Sequence, residues 1–225
     1  MCGRYTLKTP AAALAQQFEL AELPDLAPRY NIAPTQQVAV VRAAEAGRSC
    51  ELMGWGLIPA WAKDSAIGGK LINARSETAA EKPSFRSAMR QRRCLVLADG
   101  FYEWQAGSGK GKGKQPFYMT MDDERPFAMA GLWEAWHDAD GTTRNTCTIL
   151  TTSANELLAP IHDRMPVILP PEEYTRWLDP GMRHAEALHD LLGPFPATAM
   201  RARPVQTLVN RVGNDGPELL AMQAN

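Results

Sequence analysis

The sequence predicts an α+β fold: a single compact domain over residues 1–225, in which mainly antiparallel strands form a barrel-like sheet with peripheral helices. Three observations lead to this prediction. The chain has 225 residues, of which 45% are hydrophobic and 22% charged, which suits one globular domain with its own core. Short β-type runs separated by Gly, Pro and Asp dominate its middle. Helical patterns occur only near the start, around residues 84–93 and after residue 170.

Five runs of apolar and β-branched residues predict strands, because such residues fit the pleated and half-buried surface of a sheet. These runs are Val38–Val41, Cys94–Ala98, Phe117–Met121, Phe127–Leu132 and Thr146–Thr152.

The first helix is predicted to begin at Thr9-Pro10, because Thr can cap free backbone amides and Pro suits the first helical position. Its apolar face would consist of Leu14, Phe18 and Leu20. Further helices are predicted as a basic segment at Ser84–Arg93, an acidic segment from Pro170, and a segment at His184–Leu192.

The net charge of −1 hides a strong asymmetry along the chain. Residues 1–118 carry 16 Lys or Arg against 10 Asp or Glu, whereas the remainder carries 8 against 15. Five cations and no carboxylate lie between Lys82 and Ala98. A polyanion would therefore prefer the first half, although a solvated helix face explains the pattern equally well. The Gly/Lys stretch at 107–114 is typical of a mobile hairpin loop.

Several classes of protein are excluded by what the chain lacks. No apolar run of about 18 residues and no leader pattern is present, so we expect a cytoplasmic protein that does not enter a membrane. The four cysteines form no Cys-x-x-Cys pair, which argues against a zinc finger or a disulfide framework. His162 and Asp163 have no third metal ligand at a suitable spacing, so we expect neither metal nor cofactor.

Cys2 is the most informative residue of the sequence. If Met1 is removed, one residue carries both an α-amine and a thiol. The amine, with a pKa near 8, can attack an aldehyde to form a Schiff base, and the thiol can then close a five-membered thiazolidine ring. Gly3 allows close approach of a ligand, and Arg4 would favour a thiolate and bind an anion. The alternative is a small buried residue at the chain terminus.

Three further segments carry polar groups suited to such chemistry. Asn73 and Arg75 would share one face of an extended segment, unless they belong to a polar turn that caps the next helix. Glu103 follows the predicted strand at 94–98 and lies between two aromatic residues, so its pKa would be raised unless it forms a surface ion pair. His162 places an imidazole group in a dense polar cluster, whereas the other three histidines are expected on the surface.

Seven motifs, in the order found here, resemble those of the SRAP (SOS response-associated peptidase) family from residue 2 to about residue 217. They are Met1–Tyr5, Asn31–Thr35, Trp55–Pro59, Asn73–Thr78, Ala98–Trp104, Ala130–Trp133 and His162–Pro166.

The resemblance implies a protein that recognises abasic sites in single-stranded DNA through a basic groove and shields them by a covalent crosslink. Cys2 would form the thiazolidine, Asn73 would hold the amine, Glu103 would shuttle protons in both directions and His162 would stabilise the Schiff base. Arg4, Asn31, Pro34, Trp61, Arg75, Arg86 and Arg164 would contact the DNA. The resemblance also implies autocatalytic removal of Met1 and lyase activity. We further expect a monomer that associates with the nucleoid during DNA damage.

Two other functions remain open from the sequence. A Met-Cys-Gly start also resembles the N-terminal-nucleophile glutamine amidotransferases, in which the amine of the processed cysteine activates its own thiol. A protein that binds single-stranded DNA without chemistry would use the same cations and aromatic residues, among which Trp61 would face a base. The abasic-site crosslink and the amidotransferase reaction both require Cys2, whereas non-covalent binding of single-stranded DNA does not.

Overall fold

A computed structural model of the chain describes residues 2–107 and 113–221. The five strand predictions are confirmed within β3, β6, β8, β9 and β10, and the remaining strands had been missed. Most of the missed strands have only two to six residues, too few to show an alternating pattern. The strands of the described residues are β1 Tyr5–Leu7, β2 Arg29–Ile32, β3 Gln37–Ala44, β4 Gly47–Trp55, β5 Asn73–Arg75, β6 Arg93–Ala98, β7 Gly100–Gln105, β8 Gln115–Met121, β9 Phe127–His137, β10 Thr143–Ser153, β11 Arg164–Pro166, β12 Ile168–Leu169 and β13 Met200–Pro204.

Five strands close into a barrel, which confirms the predicted barrel-like sheet. Strand β3 pairs with β4 and β6, β6 pairs with β9, and β9 pairs with β10, all antiparallel. A parallel pairing of β10 with β4 closes the ring. Closure pairs the backbone groups of what would otherwise be edge strands, and all six residues of the wall strand β6 are buried.

A second, antiparallel sheet lies beside the barrel in the order β13-β8-β7-β1-β2. The three residues of β1 are all buried, and β1 is held between β2 and β7. This sheet positions the N-terminus of the chain. The Gly/Lys loop predicted at 107–114 joins β7 to β8, and its residues 108–112 lie outside the described part of the chain.

The helices are short and lie outside the two sheets, as predicted. The α-helices are α1 Ala11–Phe18, α2 Ser76–Ala79, α3 Arg86–Gln91 and α4 Tyr174–Leu178, and the 3-10 helices are Ser65–Lys70, Pro171–Glu173, Ala185–Leu192, Ala197–Ala199, Thr207–Asn210 and Pro217–Leu220.

Two details of the helix predictions need correction. Helix α1 does bury Leu14 and Phe18, but Thr9 does not cap it, because the Thr9 hydroxyl donates instead to Asp99. The basic helix ends at Gln91, and Arg93 belongs to β6, where it is buried. Its guanidinium donates to four backbone carbonyl groups, so this cation is not available to an external anion.

One large cluster of buried apolar residues fills the barrel and the space between it and the second sheet, and its members range from Cys2 to Met200. The sequence between residues 2 and 200 therefore contributes to one continuous core. Across the described residues, no helix combines the length and the apolar character that crossing a membrane requires.

Candidate active site

Strands β1 and β7 bring the N-terminus of the chain beside Glu103. The amide of Tyr102 in β7 donates to the carbonyl oxygen of Arg4 at 2.9 Å. The two strands are antiparallel, with Tyr5 paired to Phe101 and Thr6 paired to Gly100, so the chain before Tyr5 runs toward the end of β7 that carries Glu103. The sheet thus places Cys2 and the Glu103 carboxyl group in one neighbourhood, and the negative charge of Glu103 acts on the Cys2 thiol.

Cys2 is completely buried, and this burial raises the pKa of its thiol far above the ordinary value. The nearby Glu103 carboxylate raises the pKa further. A backbone hydrogen bond from Arg4 lowers this pKa, in the direction expected of Arg4, but loss of hydration outweighs it. The thiol is protonated at neutral pH.

Asn73 reaches Cys2 from the first position of β5. Its side-chain amide donates to the carbonyl oxygen of Cys2 at 2.8 Å. Its side-chain oxygen is buried and accepts no hydrogen bond within the described residues. Asn73 and Arg75 do lie on one extended strand, and no side chain caps the helix α2 that follows. An acceptor close to the backbone of Cys2 is thus available for a further N–H group.

Glu103 is almost completely buried, and burial raises the pKa of its carboxyl group above the usual value. The interaction with His162 opposes this effect and lowers the pKa. The sequence had suggested that Glu103 lies just beyond the end of a strand. The residue instead lies inside β7. A carboxyl group with a raised pKa can hold a proton near neutral pH and is suited to general acid and base chemistry.

His162 approaches Glu103 from the segment before β11. Its Nε2 atom lies 4.0 Å from a carboxyl oxygen of Glu103. The backbone amide of Arg164 donates to Nδ1 at 3.0 Å, so the proton of the neutral ring lies on Nε2, which faces Glu103. The exposed Asp163 carboxylate also lies 3.0 Å from Nδ1, but the backbone amide is held by a strand and sets the tautomer.

Glu103 and His162 line a cleft of about 660 Å³, whereas Cys2 and Asn73 are not among its lining residues. The sequence had singled out three of its lining residues and had missed the other three. Trp104 and Asn210 are joined by a hydrogen bond of 2.7 Å, and only the fold brings the C-terminal Asn210 to this place. The lining residues are Arg4, Glu103, Trp104, Lys114, His162 and Asn210.

Arg4 lines the cleft, but Asn31 does not reach it. Asn31 is completely buried, and its side-chain amide donates to three carbonyl groups of residues 209–214. Its side-chain oxygen accepts from the Arg4 guanidinium at 2.9 Å. The expectation that Asn31 contacts DNA is corrected to an indirect role, because Asn31 is completely buried and holds the cleft residue Arg4.

Arg164 is engaged by protein groups rather than open to a phosphate. Its two terminal nitrogens donate to both carboxyl oxygens of Glu77, at 2.6 and 2.8 Å, and one of them also donates to the carbonyl oxygen of Thr151. The Arg164 guanidinium lowers the pKa of the Glu77 carboxyl group. A phosphate would have to displace Glu77, a competitor that the sequence did not reveal.

The other expected DNA-contacting residues lie at the surface, and no observation in the structure tests that role. Arg75 and Arg86 are exposed, and Pro34 is half-buried. Trp61 is 60% exposed, and its indole nitrogen lies 3.4 Å from the carbonyl oxygen of Pro83, just before the basic helix α3. His137, His184 and His189 are exposed, as expected.

The architecture defines a class of protein in which a closed barrel and an adjoining sheet hold an N-terminal cysteine beside a polar cleft. The chain belongs to the SRAP (SOS response associated peptidase) family, whose model matches residues 1–212.

Relatives in bacteria and vertebrates are named abasic site processing proteins. The chain is 43% identical to the abasic site processing protein YoqW of Bacillus subtilis, with 98% of this chain and 99% of the relative covered. It is 32% identical to the abasic site processing protein YedK of Escherichia coli, with 98% and 99% covered. The abasic site processing protein HMCES of Gallus gallus is 33% identical, with 98% of this chain and 77% of the relative covered.

The fold is also similar to solved structures. A protein from Bacteroides thetaiotaomicron superposes with a TM-score of 0.88 at 28% identity, with 99% of this chain and all of that chain covered. A protein from Bordetella bronchiseptica gives a TM-score of 0.79 at 29% identity, with 91% and 100% covered.

Proposed function

We propose that this chain captures abasic sites in single-stranded DNA as a covalent thiazolidine on Cys2, after Met1 has been removed. The observation that carries the proposal is that Asn73 and Glu103 both act on the buried Cys2, while Glu103 and its neighbour His162 line the adjacent cleft. The names of the relatives support the abasic site as substrate. Binding of the single-stranded form and action as a cytoplasmic monomer belong to the same proposal.

The first step is hydrolysis of the peptide bond between Met1 and Cys2, which consumes one water and leaves a free α-amine on Cys2. This amine is partly neutral at pH 7, unlike that of a lysine side chain. The abasic sugar then opens from its cyclic hemiacetal. Its C1 hydroxyl loses a proton, its ring oxygen gains one, and an aldehyde results.

The crosslink forms in two bond-making steps. The α-amine attacks the aldehyde carbon, and loss of one water gives an imine. The Cys2 sulfur then attacks the imine carbon, forming the C–S bond, while the electrons of the C=N bond take up a proton on nitrogen and the thiol loses its own. Hydrolysis of the ring by one water reverses both steps and restores the free protein and aldehyde.

The side chains around Cys2 match the proton movements of this sequence. Glu103, with its raised pKa, gives a proton to the sugar ring oxygen and later receives one from the buried thiol. Asn73 holds the carbonyl group of Cys2 and offers its buried side-chain oxygen to the amine. His162 presents its Nε2–H group toward Glu103 and the sugar oxygen. Microscopic reversibility gives Glu103 the same role in release.

Cations around the cleft supply the DNA affinity. Arg4 and Lys114 line the cleft itself. Arg75 is exposed at the end of β5, the strand that begins with Asn73, and Arg86 is exposed at the start of α3. The exposed Trp61 offers a face on which an unpaired base can stack. The first half of the chain, with its excess of Lys and Arg, provides the phosphate contacts.

The test is incubation of Met1-free protein with single-stranded DNA that carries one abasic site, followed by denaturing electrophoresis and intact-mass analysis. The expected product is a denaturation-resistant adduct whose mass equals protein plus DNA minus one water. Cys2→Ala and Cys2→Ser serve as controls, because the serine variant keeps the amine and loses only the sulfur. Both should fail to give the stable adduct.

Two outcomes would replace the proposal. Salt-reversible binding without an adduct, unchanged in Cys2→Ala, would indicate a non-covalent binder of single strands. Release of ammonia from glutamine that depends on Cys2, again without an adduct, would indicate an amidotransferase. Cleavage of the DNA strand in the same gel would reveal lyase activity in addition.

A further inference from the structure

A buried carboxylate joins the N-terminal strand to the strand pair that carries Glu103. Asp99 connects β6 to β7 and is completely buried. Its carboxylate accepts hydrogen bonds from the backbone amides of Lys8 and Thr9, at 2.6 and 2.8 Å, and from the hydroxyls of Thr6 and Thr9. A buried charge is tolerated only with such complete hydrogen bonding. The four donors all come from the first nine residues of the chain.

Tyr118 extends this network from the other side. Its hydroxyl lies 2.8 Å from the Thr6 hydroxyl. A Cβ atom at Gly100 would lie 2.2 Å from the same Tyr118 hydroxyl, so only glycine leaves room for it. The pair Asp99-Gly100 thus provides both the carboxylate and the space that the network needs. We refer to Thr6, Asp99 and Tyr118 as the register lock.

The register lock lies at the opposite end of β1 from Cys2. Thr6 pairs with Gly100 in the antiparallel ladder, and the amide of Asp99 donates to the Thr6 carbonyl oxygen at 2.9 Å. From this pair the strands continue through Tyr5 and Phe101 to the hydrogen bond that the Tyr102 amide donates to the Arg4 carbonyl oxygen, one residue before Glu103 in β7. A slip of one residue would move Cys2 by about 3.3 Å along Glu103 and would turn every side chain of β1 to the other face.

Backbone pairing alone specifies this register weakly, because β1 has only three residues. Backbone groups can pair in more than one register, whereas a side-chain hydrogen bond is specific to one position. The Thr6 hydroxyl is the member of the lock that belongs to β1 itself, and it contacts both Asp99 and Tyr118. It therefore fixes β1 against β7 at a single register.

We propose that Thr6 and Asp99 are positioning residues that hold Cys2 in place relative to Glu103, and thereby set the rate at which the crosslink forms and is released. This inference rests on the proposed function for its substrate. It assigns no contact with DNA to either residue, since both are buried within the sheet.

The test compares two variants of Thr6 in Met1-free protein. Thr6→Val keeps the shape of the side chain and removes the hydroxyl, whereas Thr6→Ser keeps the hydroxyl. At saturating abasic DNA, Thr6→Val should form the crosslink about 10- to 100-fold more slowly, as expected for a misplaced reacting group. Thr6→Ser should react within about twofold of the wild-type rate, because it restores the same hydrogen bonds.

The reverse reaction supplies a readout that a purely structural role would not change. Misplacement of Glu103 relative to Cys2 slows formation and hydrolysis by the same factor, so the equilibrium yield of the adduct stays constant. The control is Thr148→Val, since Thr148 is also completely buried and its hydroxyl has no hydrogen-bond partner within the described residues. It should crosslink at the wild-type rate.

Two results would overturn the register lock: Thr6→Val crosslinking like Thr148→Val at a temperature where both are folded, or a changed equilibrium yield with an unchanged reverse rate. If the wild type gives no DNA adduct, it is the proposed function that fails. The Thr6 variants are then compared for thiazolidine formation with glyoxylate, a small aldehyde, by intact mass. Equal rates for Thr6→Val and Thr6→Ser in that reaction would also overturn the lock.

Discussion

The side-chain amide of Asn73 donates a 2.8 Å hydrogen bond to the carbonyl oxygen of Cys2, while its side-chain oxygen stays buried and accepts nothing within the described residues. Half of this amide therefore orients the N-terminal residue, and the other half is available to its amine. Buried polar atoms in proteins are almost always paired, so the free acceptor of Asn73 fits the contact with the Cys2 amine that we propose.

Asn73→Ala should slow crosslink formation by about 10- to 100-fold, because the Cys2 backbone loses its anchor and the amine loses its acceptor. The rate is measured at saturating abasic DNA by quenched time points on a denaturing gel. Asn145→Ala is the matched control, since Asn145 is a half-buried amide that binds Glu51 away from the cleft. A similar loss of rate in both variants would contradict the role of Asn73.

Glu103→Gln should stabilise the protein at pH 8 while slowing both formation and release of the crosslink. Because burial raises the pKa of Glu103 in the folded state, the protonated carboxyl group contributes stability at low pH that is lost as the pH rises through that pKa. Gln keeps the uncharged form at every pH. Thermal melts of the two proteins should therefore differ at pH 8 and converge below about pH 4. A wild type as stable as the variant at pH 8 would contradict the burial cost.

Arg75→Ala should weaken binding of single-stranded DNA and reduce the slope of log affinity against log salt by about 0.7, the value for one lost phosphate contact on a single strand. Binding is measured by fluorescence anisotropy in a Cys2→Ala background, so that no crosslink interferes. Arg125→Ala is the control, because Arg125 is equally an exposed cation but pairs with Asp123. An unchanged salt slope in Arg75→Ala would remove Arg75 from the DNA path.

Trp61→Ala should lower the affinity for single-stranded DNA by about 1–3 kcal/mol, which is the usual contribution of one stacked base. Its melting temperature should change little, since the side chain is 60% exposed. Leu52→Ala removes another exposed apolar side chain, 42% exposed on β4, and should leave the affinity unchanged. Equal affinities for the two variants would show that Trp61 contacts no base.

Glu77→Gln should raise the affinity for single-stranded DNA by about two- to fivefold, in the range of a surface ion pair. The substitution removes one negative charge and frees the terminal nitrogens of Arg164, which Glu77 now holds. The affinity is measured by fluorescence anisotropy at several salt concentrations in the Cys2→Ala background. If the affinity does not rise, Arg164 has no part in binding phosphates and is held by Glu77 for structural reasons.

The longer strands and the buried helical face could be predicted from the sequence because each is specified by neighbouring residues. The runs of apolar and β-branched residues in β3, β6, β8, β9 and β10 are typical of strands, and the spacing of Leu14 and Phe18 in α1 follows the helical period. The shorter strands could not be recognised in this way. Strands β1 and β5 have three residues each and exist because longer neighbours pair with them.

The roles of individual cations were the least predictable part of the candidate site. Arg4, Arg93 and Arg164 look alike in the sequence, yet Arg93 is buried against carbonyl groups and Arg164 is held by Glu77. Only Arg4 of these three lines the cleft. A guanidinium can bind a phosphate, a carboxylate or a backbone carbonyl, and the choice depends on which of these the fold brings within reach.

The sequence by itself determined the chemical inventory: a cysteine beside the N-terminus, an amide, a carboxyl group between aromatic residues, a histidine and a basic first half. Only the tertiary structure decided their relationships. The pairing of β1 with β7 brings the N-terminal residues toward Glu103, burial raises the pKa of the Cys2 thiol, and Asn210 from the C-terminal part of the chain completes the cleft. The physical reason is that a side chain's chemistry is covalent and local, whereas its hydration, its pKa and its neighbours depend on residues far away in the chain.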